Sequence, residues 1–599
     1  MENKILKREE VPIELTWDLE TIFKNDQIAQ EKYQQLEADI SKIEAFKDNL
    51  CQNPQNLLNG VECFLDLYRR LTTLYVYAHL KNDQDTKNDF YKTFYEKMVV
   101  LYSKLSSACA FVEVSILEQD YATIQQFIQQ EPKLKPYEHF FEEMFRNKKY
   151  VLSDKEEALL ATLSPVLDTG SHTFSILNNA DLVFPNIEDE NGNSVPLTHS
   201  RYGLYLESKN KDVRKNAFNA MYDTYAKLQN TIAALFSSNI SLQNINARLR
   251  GFKSSRHQHL YSNAIDESVY DALIQAVNEK LPLLHQYVEL RKQILQLSEL
   301  EMADMYVPLI DEVPLKFSYE EAKQITLEAL LVLGEEYIEI VKKAFNERWI
   351  DVVENDGKRS GAYSSGSYDT NPFILLNWQD NLSNLYTLVH EMGHSLHSYY
   401  TRKYQPYVYG SYSIFLAEIA STTNENLLTA YLLEKYKDNK KLVAYVLNHY
   451  LDGIKGTLFR QTQFAEFENV VHSAQANGQI LSCQYLNDTY FNINKKYYGE
   501  NVNYDQRIAL EWSRIPHFYS SFYVYQYATG ISAASVFAKR ILDKENNAVE
   551  NYINFLKAGN SDYPLNVLLK SGLDMSNPEA IYTTLNLFDE RLQQLKTLI

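Results

Sequence analysis

Apolar residues recur at steps of three and four over much of the first third of this chain, as at Leu57, Val61, Phe64, Leu65, Tyr68, Leu71 and Leu74. Side chains so spaced share one face of a 3.6-residue turn, which predicts helix. The pattern holds almost throughout residues 26 to 163 and is repeated within 85–117, an N-terminal helical region expected to carry no chemistry of its own. It breaks between 182 and 197, where Val183, Phe184 and Ile187 face Val195 and Leu197 across Glu190-Asn191-Gly192-Asn193. An Asn-Gly pair between apolar runs predicts a β-hairpin, and Pro185 and Pro196 keep its strands short or at an edge. Helical spacing resumes over residues 202–249, 266–297 and 319–346.

Turn-forming residues are densest from Asn355-Asp356-Gly357 through Gly361-Ala362-Tyr363-Ser364-Ser365-Gly366-Ser367-Tyr368-Asp369. The run that follows, Pro372-Phe373-Ile374-Leu375-Leu376-Asn377-Trp378, is apolar and too short for a helix, so a strand is predicted. A glycine-rich loop beside a strand edge suits an extended peptide, whose main chain can pair with the strand. Gly361, Ala362, Tyr363 and Tyr368 are therefore candidate substrate contacts. From residue 382 helical spacing returns, with Leu385, Leu388, Val389 and Leu396 as its apolar stripe. Asp380, Asn381 and Ser383 are candidate N-caps, and Pro406 and Gly410 punctuate its far end before a second helix over 414–436.

The first of these two helices contains His390-Glu391-Met392-Gly393-His394, the pattern H-E-x-x-H. Positions i and i+4 lie about 40° apart around a helix, so both imidazoles can reach one metal ion while Glu391, about 100° away, stays off the ligand line. That is the division of labour a metallohydrolase requires. A catalytic zinc ion takes three protein ligands and keeps a fourth position open. Glu418, 24 residues after His394 on the second helix, is the expected third ligand. Glu425, seven residues further along the same face, is either an acceptor that orients a ligand imidazole or a solvated helix charge.

Downstream, His517-Phe518-Tyr519-Ser520-Ser521-Phe522-Tyr523-Val524-Tyr525-Gln526-Tyr527-Ala528-Thr529-Gly530 concentrates one histidine and four tyrosines. Such a cluster can be core. It can also supply the phenol and imidazole donors that an oxyanion needs, or contacts to a substrate backbone.

Composition narrows the class. Gly and Pro are scarce, at 18 and 15 in 599 residues, which favours long uninterrupted helices. A net charge of −19 argues against a nucleic-acid-binding surface. The first residues hold no apolar leader segment, and no run of 18 apolar residues predicts a membrane span. Cys51, Cys63, Cys109 and Cys483 form no C-x-x-C pair and read as reduced thiols of a cytoplasmic protein.

Taken together, Trp17-Asp18-Leu19, the loop and strand of 361–378, His390-Glu391-Met392-Gly393-His394-Ser395-Leu396-His397, Phe415-Leu416-Ala417-Glu418-Ile419-Ala420-Ser421-Thr422-Thr423-Asn424-Glu425 and the 517–530 segment resemble oligoendopeptidase F, of the thimet oligopeptidase family of zinc metallopeptidases. The resemblance covers most of the chain. It implies a mostly α-helical ellipsoid with a deep substrate channel and a small β element beside the H-E-x-x-H helix. It implies one Zn2+ per chain, short unstructured peptides as substrates, and no particular oligomeric state. The expected organisation is an N-terminal helical region over 1–200, ending in the hairpin, and a catalytic domain over 201–599. The resemblance also supports Glu418 as a ligand, Glu391 as general base and acid, and His517 with a following tyrosine as transition-state donors. Tyr523 is the first choice, with Tyr525 and Tyr527 as further substrate-side candidates. An exopeptidase of the dipeptidyl carboxypeptidase kind, or a non-catalytic peptide-binding protein, would use the same fold.

Overall fold

The computed structural model describes residues 5–310 and 316–599. Along the chain, helix α1 (Pro54–Gln84) begins where the Asn53 side chain accepts the Asn56 N–H, with Pro54 in the first turn. Helix α2 (Asp89–Leu117) begins in the same way on Asn88. Strands β1 (Asn186–Glu188) and β2 (Ser194–Pro196) form the hairpin, paired Ile187 to Val195 around Gly192 at φ +77°. It is shorter than its apolar pattern, because Val183 precedes the strand and is 82% exposed. Then come β3 (Ile350–Asp351), β4 (Tyr363–Ser365) and β5 (Phe373–Leu375). Helices α3 (Leu382–Tyr404) and α4 (Ile414–Lys435) follow, and further on α5 (Arg460–Ala476) and α6 (Tyr525–Leu542). The protein is mostly α-helical, with a small β element against the H-E-x-x-H helix.

The chain forms two compact units. One comprises Met1–Lys149, Leu315–Tyr431 and Phe537–Gly572, and the other Tyr150–Pro314, Leu432–Val536 and Leu573–Ile599. The boundary expected at 200/201 therefore falls inside the second unit. The N-terminal helices share a unit with the metal motif. Helical periodicity reports which face of a helix is buried but not against which partner, and here the partner is more than 200 residues away in sequence.

In the first unit a continuous apolar core runs from Trp17 and Leu36 through Leu57, Val61, Leu71 and Leu74 of α1 and Met98, Leu105, Val112 and Ile116 of α2 to Phe373 and Leu375 of β5. By length and composition α2 is the one helix among the described residues able to cross a membrane. Its buried residues Phe94, Met98, Leu101, Leu105, Cys109, Val112 and Ile116 recur at steps of three and four, forming the stripe that a core helix presents.

The three-stranded sheet is ordered β3-β5-β4, with β5 parallel to β3 and antiparallel to β4. The apolar run is thus the middle strand. All three residues of β5 are buried, as a strand covered on both faces requires. The free edge expected on this run belongs instead to β4, inside the glycine-rich loop.

Candidate active site

Helix α3 starts where the Asn381 side chain accepts the Asn384 N–H, so of the three candidate caps Asn381 is the one used. Its apolar stripe, Leu385, Leu388, Val389 and Leu396, is fully buried. Helix α4 crosses it at Gly393, where a Cβ would lie 2.5 Å from the Ser421 Cα and 2.7 Å from the Ala420 carbonyl oxygen. Only glycine allows this approach. The crossing is braced by Asn424, which donates to the Val389 carbonyl at 3.3 Å and shares a hydrogen bond with the Tyr337 hydroxyl.

This close packing brings Glu418 to the two histidines. His390 Nε2 and His394 Nε2 are 3.2 Å apart, and each is 3.5 Å from Glu418 Oε2. Three donors bound at about 2.0–2.2 Å to one tetrahedral ion lie roughly 3.3–3.6 Å from one another, so the triangle fits a metal. Among the described residues it is the one His/Cys/Asp/Glu group with donor atoms gathered in this way. Ser421 Oγ donates to Glu418 Oε2 at 3.2 Å and sets the carboxylate. Behind the triangle, His390 Nδ1 donates to Glu425 Oε1 at 2.6 Å, leaving Nε2 to face the centre.

The electrostatics favour positive charge here. Burial disfavours a charged His390, yet the Glu425 hydrogen bond with the Glu425, Glu391 and Glu418 charges carries its pKa up to about 9. Burial pushes Glu418 upward, but the two histidines hold it down to about 2. A site that would otherwise hold a proton so firmly is a site for a cation.

Glu391 is 7% exposed. Burial raises its pKa above the ordinary carboxylate value, countered in part by His390 and His394 and by the Ser364 backbone N–H of β4. One turn on, Ser395 Oγ hydrogen-bonds Ser364 Oγ at 2.8 Å, tying α3 to the same edge residue. The rest of the loop is held from α1 and α3. Tyr363 donates to Asp83 Oδ2 at 2.9 Å and stacks on His79, Thr73 meets Ser367 at 3.1 Å, Arg69 pairs with Asp369, and Arg402 donates to the Gly366 carbonyl at 2.9 Å.

In the second unit, His517 stands on a short 3-10 turn, and its ring is grouped with those of Tyr523 and Tyr527 at centroid distances of 6.4 and 6.2 Å. Tyr523, just before α6, and Tyr527, in its first turn, have ring centroids 5.5 Å apart. Partial burial lowers the His517 pKa, which keeps the imidazole neutral at neutral pH.

Comparison with known proteins agrees with this geometry. The model of peptidase family M3 matches residues 204–587, and that of oligopeptidase F matches residues 115–184. The chain belongs to peptidase family M3. It is 48% identical to oligopeptidase PepF of Bacillus subtilis, over all of this chain and 89% of that protein. It is 50% identical to group B oligopeptidase PepB of Streptococcus agalactiae, over 97% of each. Among solved structures, oligoendopeptidase-F from Enterococcus faecium superposes with a TM-score of 0.76 at 45% identity, over 96% of this chain and 99% of that one. As an M3 peptidase of the oligoendopeptidase F type, the protein is a metalloendopeptidase.

Within this M3 peptidase several expected substrate contacts are otherwise engaged. Tyr525 is 1% exposed and packs on Tyr270, so its ring belongs to the core and is not available to substrate. The Tyr363 hydroxyl is committed to Asp83, and that of Tyr368 to the Gln405 carbonyl at 2.7 Å with Arg69 over its ring. Both tyrosines shape the loop instead of offering it a free hydroxyl. Gly361, at φ +87°, and Ala362 remain at the accessible start of the loop. Asp83, His79, Ser364 and Ser395 belong to no motif that singles them out along the chain. Ser395 alone had a local signal, lying four residues after Glu391 on one helical face.

Proposed function

We propose that this M3 metallopeptidase is a zinc-dependent endopeptidase that hydrolyses internal bonds of short, unstructured oligopeptides, with Glu391 moving the proton. The observation that carries this reading is the triangle of His390, His394 and Glu418 with Glu391 at the adjacent helical position. Two imidazoles and a carboxylate suit zinc, which His390, His394 and Glu418 would hold and which would supply Lewis acidity and lower the pKa of water toward neutrality.

The protein groups then act as follows. The free edge of β4 pairs with the main chain of an extended peptide, which recognises length and conformation more than side chains. Glu391, its basicity raised by burial and its carboxylate oriented by Ser364, takes the proton of the attacking water and delivers it to the leaving amine nitrogen. Glu425 keeps the His390 tautomer that presents Nε2. His517 with Tyr523 donates hydrogen bonds to the oxyanion. The M3 assignment and the peptide-cleaving relatives support the substrate class.

A test combines one variant and one substrate design. Glu391→Gln should retain stoichiometric metal while losing about 10²–10⁴-fold in kcat. The wild-type enzyme should cut a peptide blocked at both termini. Wild-type turnover in the metal-loaded variant would remove Glu391 from the mechanism, and cleavage confined to peptides with a free terminus would make the enzyme an exopeptidase.

A further inference from the structure

The backbone that carries Tyr523 turns through a bulky residue in the left-handed region, with Phe522 at φ +55°. That conformation is strained for an ordinary side chain and persists only where the surroundings enforce it. The packing of the ring does not enforce it fully. Phe522 rests on His472 at 4.6 Å, Tyr270 at 6.0 Å and His259 at 5.9 Å, but with His472 it also lines a cavity of about 290 Å3.

The enforcing group is Glu468 on α5. Its Oε1 accepts the Phe522 N–H at 2.6 Å, while its other oxygen is buried without a hydrogen-bond partner. The residue is 1% exposed. Burial, opposed by this hydrogen bond, pushes its pKa up to about 8. A carboxyl buried with one hydrogen bond is a net cost to the fold, so its position calls for a reason beyond packing.

We infer that Glu468 is a positioning residue for the His517, Tyr523 and Tyr527 group, because by holding the Phe522 N–H it fixes the backbone turn from which Tyr523 projects. This rests on the reading of Tyr523 as a donor to the reacting carbonyl. Without the clamp, Phe522 can relax toward ordinary backbone geometry and into the adjoining cavity, and Tyr523 moves with it.

The experiment compares Glu468→Gln, Glu468→Met, Tyr523→Phe and the Glu468→Met/Tyr523→Phe pair in the metal-loaded enzyme. The amide of Glu468→Gln still accepts the Phe522 N–H, so kcat and KM should stay within about twofold of wild type. Glu468→Met should lose about 10–100-fold in kcat with KM little changed, the scale expected for misplacing a group by about 1 Å. It should add almost nothing to the loss in Tyr523→Phe. Hydrogen exchange at the Phe522 amide should be slow in wild type and in the glutamine variant and fast in Glu468→Met, a readout that needs no turnover. If Tyr523→Phe is harmful and Glu468→Met is silent or fully additive with it, the positioning role falls and the reading of Tyr523 survives. If Tyr523→Phe itself is silent, both fall. Unchanged exchange at Phe522 in Glu468→Met likewise overturns the clamp.

Discussion

Gly393 and Ser421 meet at the crossing of α3 and α4 so closely that a Cβ on residue 393 would sit 2.5 Å from the Ser421 Cα. The second variable position of H-E-x-x-H is thereby a packing requirement. Glu418 reaches the histidine pair because nothing but hydrogen separates the two backbones.

Gly393→Ala should spread α3 from α4. Overpacking of this kind costs about 1–3 kcal/mol, and a displaced Glu418 carboxylate would weaken metal binding by roughly tenfold or more. Chelator competition followed by metal analysis would measure it. Unaltered affinity in a folded variant would show that the helices are not held at contact distance here.

Glu425 has no place in the donor triangle, yet it holds His390 Nδ1 at 2.6 Å. Glu425→Ala should reduce metal affinity about 10–100-fold while the metal-saturated enzyme keeps most of its activity. Titration of the apo-protein with zinc, with peptidase activity recorded at saturation, separates the two effects.

Asp83, on α1, joins the loop through Tyr363 and His79 and is 1% exposed. Asp83→Ala leaves the Tyr363 hydroxyl and His79 without their acceptor and loosens β4, the proposed peptide-binding edge. KM for a short peptide should rise several-fold with metal content unchanged, whereas a fall in metal content would place Asp83 in support of the donor triangle instead.

Glu468 also predicts a pH dependence of stability. Its folded pKa of about 8 lies above the ordinary glutamate value of 4.5 that holds in the unfolded chain. Between those pH values the folded protein keeps a proton that the unfolded chain has released, so this group's contribution to stability falls as pH rises through the window and levels off above it. Glu468→Gln has no proton to lose. Its thermal midpoint should therefore gain on that of wild type between pH 5 and 8.5; a constant difference across that range would mean that Glu468 is not buried as described.

Much of the metal centre was legible because its geometry is local. The i, i+4 spacing of His390 and His394 follows from any α-helix, and the 24-residue interval to Glu418 admits one turn and a returning helix. The predominance of helix was legible for the same reason, since apolar spacing repeats within a single element. Tyr525 shows the limit: it lies between two partners of His517 in sequence and points into the core because of how α6 is seated on its neighbours.

The helices, the two imidazoles and carboxylate of the motif, and the chemistry those groups can perform are all set by residues a few positions apart along the chain. That β4 and not β5 is the free edge, that residues 1–149 build the same unit as the motif, and that Glu468 holds Phe522 all arise from long-range packing. Each of these depends on which buried face meets which, as when Asp83 meets Tyr363 across 280 residues. Apolar periodicity encodes how much surface a segment must bury, and the choice of partner emerges from packing summed over the whole chain.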